Sequence, residues 1–446
     1  MLTGKKVLVI GLARSGKAAV ELLDKLHATI TVNEYATSDK IDCYDEYVSR
    51  GIEMVTGGHP EELFERDFDF AVKNPGINYH KPFILRLKER GVPVYTDIEL
   101  AYQVSKMQNY LAITGTNGKT TTVTLIHEIF KNALRHTCLA GNVGTPLSSL
   151  VLEDDLLHND GYDVVLEMSN FQLLDIEKFH PHVSTIINLT PDHLDYMASL
   201  DEYYTSKTFI YKNATENDFY VLNLDDEVLE GYIKKYPTKC KLVNLSLDKE
   251  ADCMIKNDAI FFKGEHIIDL KEIKIVGKHN VQNMMIAICF AKVNDIETSV
   301  IHDTLASFMG VEHRIEFVRE LNGVRYYNDS KGTNTDAAII ALKAFEKPVI
   351  LLMGGFEKGL DLTEMSTYNS NISSLICFGA AKDRFAKDMN HPVTYIENTM
   401  KDAILKAHEI AKDGDVVLLS PSTSSFDEFK SYEHRGKVFK EIVNEL

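Results

Sequence analysis

The sequence predicts an α/β protein of three domains built on mostly parallel sheets, and three observations predict it. Short apolar runs alternate with amphipathic stretches along all 446 residues, the pattern of strand–helix–strand units. Two of those runs, ending near positions 10 and 113, lead into glycine-rich turns followed by helix-forming stretches. The length suits about three domains of roughly 100–200 residues each, and new strand–turn–helix series begin near 97 and 310. The expected domains are therefore 1–97, 98–310 and 311–446.

In chain order, residues 7–10 form a strand, a turn and a helix reach about residue 26, and 29–32 form the next strand. Residues 110–113 precede the second glycine turn, and 164–166, 185–187 and 219–222 extend the same sheet. The third series places strands at 324–327, 349–353, 375–378 and 416–419. These are short apolar runs bounded by polar and turn residues, of strand rather than helix length.

Composition narrows the function. The chain is 44% apolar and 26% charged, ordinary for a soluble globular protein. Its 48 basic and 66 acidic side chains leave a net charge of −18, which argues against a nucleic-acid partner, because such binding needs clustered Lys and Arg. A small phosphorylated ligand is still admitted, since a few local groups meet its charge. Cys43, Cys138, Cys240, Cys253, Cys289 and Cys377 contain no C-x-x-C pair; they lack zinc-site spacing and read as free thiols in a reducing compartment. The opening apolar stretch is too short for a signal peptide, and no run approaches the ~18 apolar residues of a membrane span. A cytoplasmic protein without a membrane partner is expected, with a monomer as the default.

Gly11, Ala13 and Gly16 follow the first strand in a G-x-A-x-x-G spacing. Amides of this turn, including those of Arg14 and Ser15, can meet a pyrophosphate at the helix N-terminus. Glu34, ending the next strand, can accept hydrogen bonds from a ribose or base. The same spacing serves a tight strand–helix connection equally well, and a second glycine turn downstream argues against a redox dinucleotide. That second turn, Gly115, Thr116, Asn117, Gly118, Lys119, Thr120 and Thr121, resembles a shortened G-x-x-x-x-G-K-[ST] loop. Its glycines let the backbone wrap phosphates, Lys119 neutralises the β/γ oxygens, and the Thr120 hydroxyl can ligand Mg²⁺. ATP with Mg²⁺ is the expectation.

Here the chain resembles the Mur ligases, and the likeness runs from end to end. The G-T-N-G-K-T-T loop is followed in order by Gly141, Asn142 and Gly144; Glu167 and Ser169; Asp192, His193 and Asp195; Lys207; Gly277, His279, Asn280 and Asn283; and Glu312, His313 and Arg314. The N-terminal glycine turn, the stretch Asn328, Asp329, Ser330, Lys331, Thr333 and Asn334, and the run 418–427 followed by Glu433, Arg435 and Gly436 resemble the D-glutamate-adding branch. The resemblance implies a Rossmann-like N-terminal domain binding a UDP-linked substrate, a central P-loop-type ATPase domain with a mostly parallel sheet, and a C-terminal Rossmann-like α/β domain binding an amino acid. The implied reaction joins D-glutamate to UDP-N-acetylmuramoyl-L-alanine through an acyl phosphate in cell-wall precursor synthesis.

Residue roles carry over by position. The resemblance implies that Thr120 and Glu167 hold a first Mg²⁺, and that His193 and a carbamylated Lys207 hold a second. Lys119, His193, Lys207 and Arg314 are the implied catalytic groups. Asn280, Asn283, Arg314, Asp329 and Lys331 would complete the ATP site begun by residues 115–121. Asn142, Ser169 and His193 would join Gly11–Gly16 and Glu34 on the UDP-substrate, and Thr333, Lys358, Ser425 and Tyr432 would hold D-glutamate. Unmatched by the family pattern are Asn170, Gly332, the run 422–424 and the Phe356–Glu357 pair before Lys358; none removes a group that the chemistry requires. With ligand groups on separate domains, closure of the third domain is expected. The rivals are the alanine-adding relative, a P-loop kinase or nucleotidase, and a non-catalytic nucleotide-binding regulator.

Overall fold

The computed structural model describes residues 2–190 and 199–446. The chain divides into two compact units, Met1–Ile267 with Asn283–His302, and Ile268–Gln282 with Asp303–Leu446.

The first sheet contains β1 (Lys6–Ile10), β2 (Thr29–Glu34), β3 (Glu53–Thr56), β4 (Phe70–Lys73) and β5 (Val94–Tyr95), in the order β3-β2-β1-β4-β5. Every pairing in it is parallel. Strand β1 is buried from Val7 to Ile10, as a continuous apolar run in a two-sided parallel sheet should be. Gly16 lies in the helix Arg14–Lys25, where an added Cβ would collide with the Gly11 carbonyl oxygen. That close approach requires glycine.

The second sheet contains β6 (Asn109–Thr114), β7 (Thr137–Gly141), β8 (Asp163–Glu167), β9 (Val183–Ile186), β10 (Phe219–Asn223), β11 (Lys241–Ser246), β12 (Cys253–Lys256), β13 (Ala259–Phe262) and β14 (Glu265–Asp269). Its order is β14-β13-β12-β11-β10-β9-β6-β8-β7. It is parallel from β7 through β12 and turns antiparallel at the β12–β13 hairpin. One apolar core runs from Val9 and Leu22 through Ile98 to Leu147 and Val151, so helices of the first and second sheets pack together.

The second unit carries β15 (Glu316–Leu321), β16 (Val324–Asn328), β17 (Val349–Gly354), β18 (Ile372–Phe378), β19 (Thr394–Ile396) and β20 (Val416–Leu419), in the order β15-β16-β20-β17-β18-β19. Only β15–β16 is antiparallel among its described pairs. Apolar clusters cover both faces: Tyr327, Leu351 and Phe385 on one, Tyr326, Leu352 and Phe439 on the other. The α/β class and its mostly parallel sheets are as the sequence predicts, and each expected strand falls on an observed one, 185–187 being displaced to Val183–Ile186.

Candidate active site

The phosphate loop follows β6 and ends in the helix Lys119–Asn132, whose N-cap Gly118 has φ +85. A side chain at Gly118 would also be strained sterically, since a Cβ there would lie 2.6 Å from Asn283 Oδ1. The expected adenine residue Asn283 is therefore packed against this loop. Lys119 Nζ donates to the Gly115 and Thr116 carbonyls, each at 2.8 Å, folding its ammonium over the loop. Asn188 braces the far side: its Oδ1 accepts from Thr116 N (3.1 Å) and Asn117 N (2.9 Å). The residue stands in the N-L-T-P-D-H stretch, yet its bracing role was not among the sequence assignments. Thr121 is buried in the first turn of the helix.

Glu167 ends β8 and is buried at the centre of the cluster. Its Oε2 accepts from Thr120 Oγ1 at 2.9 Å, and its Oε1 accepts from Asn142 Nδ2 at 2.8 Å. Buried Lys207, on the helix Leu200–Thr208, donates to the Gly115 carbonyl at 3.1 Å with its Nζ 4.6 Å from the Tyr203 ring centroid. Ser169 caps the helix Asn170–Leu173 by accepting from Gln172 N. The first unit thus gathers residues 115–121, Asn142, Glu167, Lys207 and Asn283. His193 lies outside the described residues. Among the described residues no three His, Cys, Asp or Glu side chains form a metal-binding group.

The first glycine turn is tied into the same unit. Leu12 N donates to Glu34 Oε2 at 2.6 Å, so Glu34 anchors the turn through its own backbone. Ala13 is the N-cap of the helix, Ser15 lies in its first turn, and Arg14 donates to the Gly144 carbonyl beside Asn142. The turn 74–77 packs on Gly11, where an added Cβ would lie 3.0 Å from Ile77 Cδ1. His59 hydrogen-bonds to Asn33 Oδ1 at 2.6 Å and lies 4.3 Å from the Phe83 ring centroid, flanking the end of β2. Sequence reasoning missed these groups; the Pro75–Gly76 turn after an apolar run was the available signal.

In the second unit three loops converge at the carboxyl ends of β16, β17 and β20. Asp329 is buried; Ser420 Oγ donates to its Oδ2 (2.7 Å) and Ile315 N to its Oδ1 (3.2 Å). Burial outweighs those bonds and pushes the carboxyl up to about 7. Lys331 Nζ lies 5.9 Å from the Tyr432 ring centroid, and Thr333 N donates to the Lys331 carbonyl. Fully buried Arg435, named in the C-terminal resemblance without a role, staples two loops: Nε donates to Ser330 Oγ (2.9 Å) and Nη2 to the Ser330 (2.9 Å) and Thr423 (3.0 Å) carbonyls. Burial pushes its guanidinium down to about 10. Phe356 N donates to the Ser424 carbonyl at 2.8 Å, bringing the loop of exposed Lys358 beside that of buried Ser425. Arg314 is exposed, and Asn280 donates its amide to the Val276 carbonyl at 2.7 Å, a helix-start contact.

A separate cavity of about 890 Å³ opens at the amino ends of β6, β9 and β10 and is lined by Tyr110, His182 and Asp218 among others. None of the expected site residues lines it.

A phosphate-wrapping loop with a lysine folded over it, a buried carboxylate bonded to the adjacent threonine, and parallel sheets define an ATP-site α/β protein. Residues 113–291 match the Mur ligase middle domain and 313–423 the Mur ligase, glutamate ligase domain; the chain belongs to the Mur ligase family. It is 39% identical over 446 residues to the UDP-N-acetylmuramoylalanine–D-glutamate ligase of Streptococcus pneumoniae, covering 99% of this chain and 98% of that one. The enzyme of the same name from Bacillus cereus is 39% identical over 448 residues, with the same coverage. In fold, the chain is similar to the UDP-N-acetylmuramate-alanine ligase of Thermotoga maritima (TM-score 0.55, 16% identity, 99% of each chain). It is also similar to a pseudomurein peptide ligase type C of Methanothermus fervidus (TM-score 0.54, 18% identity, 99% and 100%).

Proposed function

We propose that this chain is an ATP-dependent ligase that joins D-glutamate to UDP-N-acetylmuramoyl-L-alanine in peptidoglycan precursor synthesis. The carrying observation is the convergence of Lys119, Thr120, Asn142, Glu167 and Lys207 on one phosphate loop, in a chain matching ligases of that name over nearly its whole length. In this reading residues 1–97 bind the UDP part, 98–310 bind ATP and 311–446 bind the amino acid, acting as a cytoplasmic monomer.

The substrate carboxylate attacks the γ-phosphorus of ATP. The bond to the β–γ bridging oxygen breaks, ADP leaves and an acyl phosphate forms. The amine of D-glutamate then attacks the acyl carbon, phosphate departs, and the nitrogen loses a proton. Both steps bring anions together, so fixed positive charge and amide donors matter more than covalent help. Lys119 and the amides of 115–118 hold the β/γ-phosphates, with Arg314, Asp329 and Lys331 completing the nucleotide contacts. Asn280 and Asn283 offer amides to the adenine. Gly11–Gly16 and Glu34 receive the UDP group, while Asn142 and Ser169 orient the muramoyl end. Lys358 pairs a D-glutamate carboxylate, and Thr333, Ser425 and Tyr432 complete that pocket.

The hydroxyl of Thr120 and the carboxylate of Glu167 are hard oxygen donors already 2.9 Å apart, and they fit Mg²⁺. Bound there, Mg²⁺ supplies neutralisation of phosphate charge. His193 and Lys207 would hold a second ion, and carbamylation would turn the nitrogen end of Lys207 into an oxygen ligand.

Phosphate release by the purified protein should require ATP, UDP-N-acetylmuramoyl-L-alanine and D-glutamate together, with a product carrying one new amide. Turnover of UDP-N-acetylmuramate with L-alanine instead would assign the alanine-adding reaction. ATP hydrolysis without amide formation would refute the ligase reading. A carbamate on Lys207 should appear as a ¹³C signal after incubation with labelled bicarbonate and vanish in Lys207→Ala.

A further inference from the structure

We infer that Lys73 and Asp175 are positioning residues for the UDP-linked substrate, whose buried ion pair sets the span between the nucleotide turn and the Glu167 end of the site. The inference rests on the function proposed above. Lys73 is the last residue of β4, and its Nζ lies 3.0 Å from Asp175 Oδ2, with both side chains 1% exposed. The other oxygen of Asp175 lies 3.0 Å from the ammonium of Lys88, on the helix Pro82–Glu89. Two cations from the first sheet's elements thus grip one carboxylate from the second sheet's side. Burial pushes the Lys73 ammonium down from the usual lysine range, and Asp175 opposes that shift.

Each end of the pair is coupled to a substrate turn. Lys73 Nζ also donates to the Ile77 carbonyl at 3.1 Å, ordering the turn 74–77. That turn packs on Gly11, and Asn74 N donates to the Ile10 carbonyl at 2.9 Å, so a shift of Lys73 displaces the first glycine turn. Asp175 lies two residues beyond the helix Asn170–Leu173, which Ser169 caps and which begins three residues after Glu167. A second tether, from Arg14 to the Gly144 carbonyl, joins the same two regions through the segment whose Asn142 bonds Glu167. A substrate with its UDP at Gly11 and its reacting carboxylate beside Glu167 spans the interval these tethers fix. Misplacing a reacting group by 1 Å can lower a rate about 100-fold. The pair acts through placement, without touching the reacting atoms.

Steady-state kinetics of Lys73→Met, Asp175→Asn, Lys73→Arg and the double variant Lys73→Met/Asp175→Leu test the inference, with melting temperatures measured in parallel. The single deletions should raise KM for the UDP-substrate about tenfold or more and lower kcat, leaving KM for ATP close to wild type; Lys73→Arg should recover most of the loss. The double variant replaces a buried ion pair by apolar groups and should recover stability, because such replacements are often neutral or stabilising. Its KM for the UDP-substrate should stay high. If the double variant regains both stability and KM, or if KM for ATP moves in step with that for the UDP-substrate, the pair only fills space and the inference fails. Wild-type protein that forms no amide from this substrate overturns the proposed function and this inference together; active wild type with unaltered variants overturns this inference alone.

Discussion

Asp329→Asn should stabilise the second unit at pH 8 while impairing its use of ATP. The wild-type carboxyl is 4% exposed and pushed up to about 7 from an ordinary 3.8, chiefly by burial. About 3 pKa units at 1.36 kcal/mol each amount to about 4 kcal/mol. The direction follows from linkage. Between those two pH values the folded chain binds the proton and the unfolded chain does not, so the folded state loses stability as pH rises from about 4 through 7. Asparagine has nearly the same shape. Its carbonyl can accept from Ile315 N, and the Ser420 hydroxyl can rotate to accept from its amide. Urea unfolding of both proteins at pH 4 and pH 8 gives the measurement: the variant's advantage should grow by about 4 kcal/mol between them. Asp97, also pushed up to about 7 by burial, adds a slope of the same sign to both proteins and cancels in the difference. A difference that stays constant, or that turns against the variant at pH 8, refutes the claim that a buried charge is held here. Stability surrendered to keep an ionisable group in place is the pattern of an active site.

Lys119→Ala should lower kcat about 100- to 1,000-fold, the usual effect of deleting one donor from a charge-stabilising site, with phosphate release as the assay; undiminished amide formation would remove the phosphate-loop argument. Removing divalent metal with EDTA should abolish turnover and added Mg²⁺ should restore it, whereas turnover unaffected by chelation would count against the Thr120–Glu167 site. Gly16→Ala should destabilise the first turn by about 1–3 kcal/mol as an overpacked contact, because its Cβ would meet the Gly11 carbonyl oxygen. An unchanged melting temperature and an unchanged KM for the UDP-substrate would show that the helix can shift freely.

Local signals carried the two glycine turns, since Gly118, Lys119 and Thr120 are contiguous and each has a distinct physical duty. The apolar strands were legible for the same reason. Glu167, Asn142 and Lys207 were different: no periodicity distinguishes them, and only the ordered resemblance selected them before the hydrogen bonds joined them. The β12–β13 and β15–β16 hairpins went unread although their turns offered a signal. Asn257 and Asp258 have φ +48 and +57, and Asn322 and Gly323 have φ +52 and +76, the left-handed pairs favoured in two-residue hairpin loops. Lys73 and Asp175 were not legible at all, and the C-terminal resemblance named Arg435 without a role. Nothing local marks Lys73 and Asp175 as partners; only tertiary packing buries each of the three and supplies what it bonds to.

Much of the candidate site stands at one physical position, Lys207 and Asn283 on their helices excepted. Gly11 follows β1, Gly115 follows β6, Glu167 ends β8, and Asp329, Gly355 and Ser420 follow β16, β17 and β20. All lie at the carboxyl ends of parallel strands, where a buried apolar run stops and the chain must turn toward a helix. Ligands bind at that edge in open α/β sheets because the following helix N-termini present unpaired amides there. Such a position is visible in sequence as the first small or polar residues after an apolar run. The cavity beside Tyr110 and Asp218 occupies the opposite, amino edge, where the preceding helices end and no N-terminal amides are presented. A buried anchor such as Arg435 obeys neither pattern, since it supports the edge from behind: its guanidinium reaches Ser330 and Thr423 from the helix Tyr432–Glu445. The glycine turns at the strand ends are therefore written locally, while Glu167 needed the ordered resemblance and the groups that hold those ends in register show only in the three-dimensional contacts.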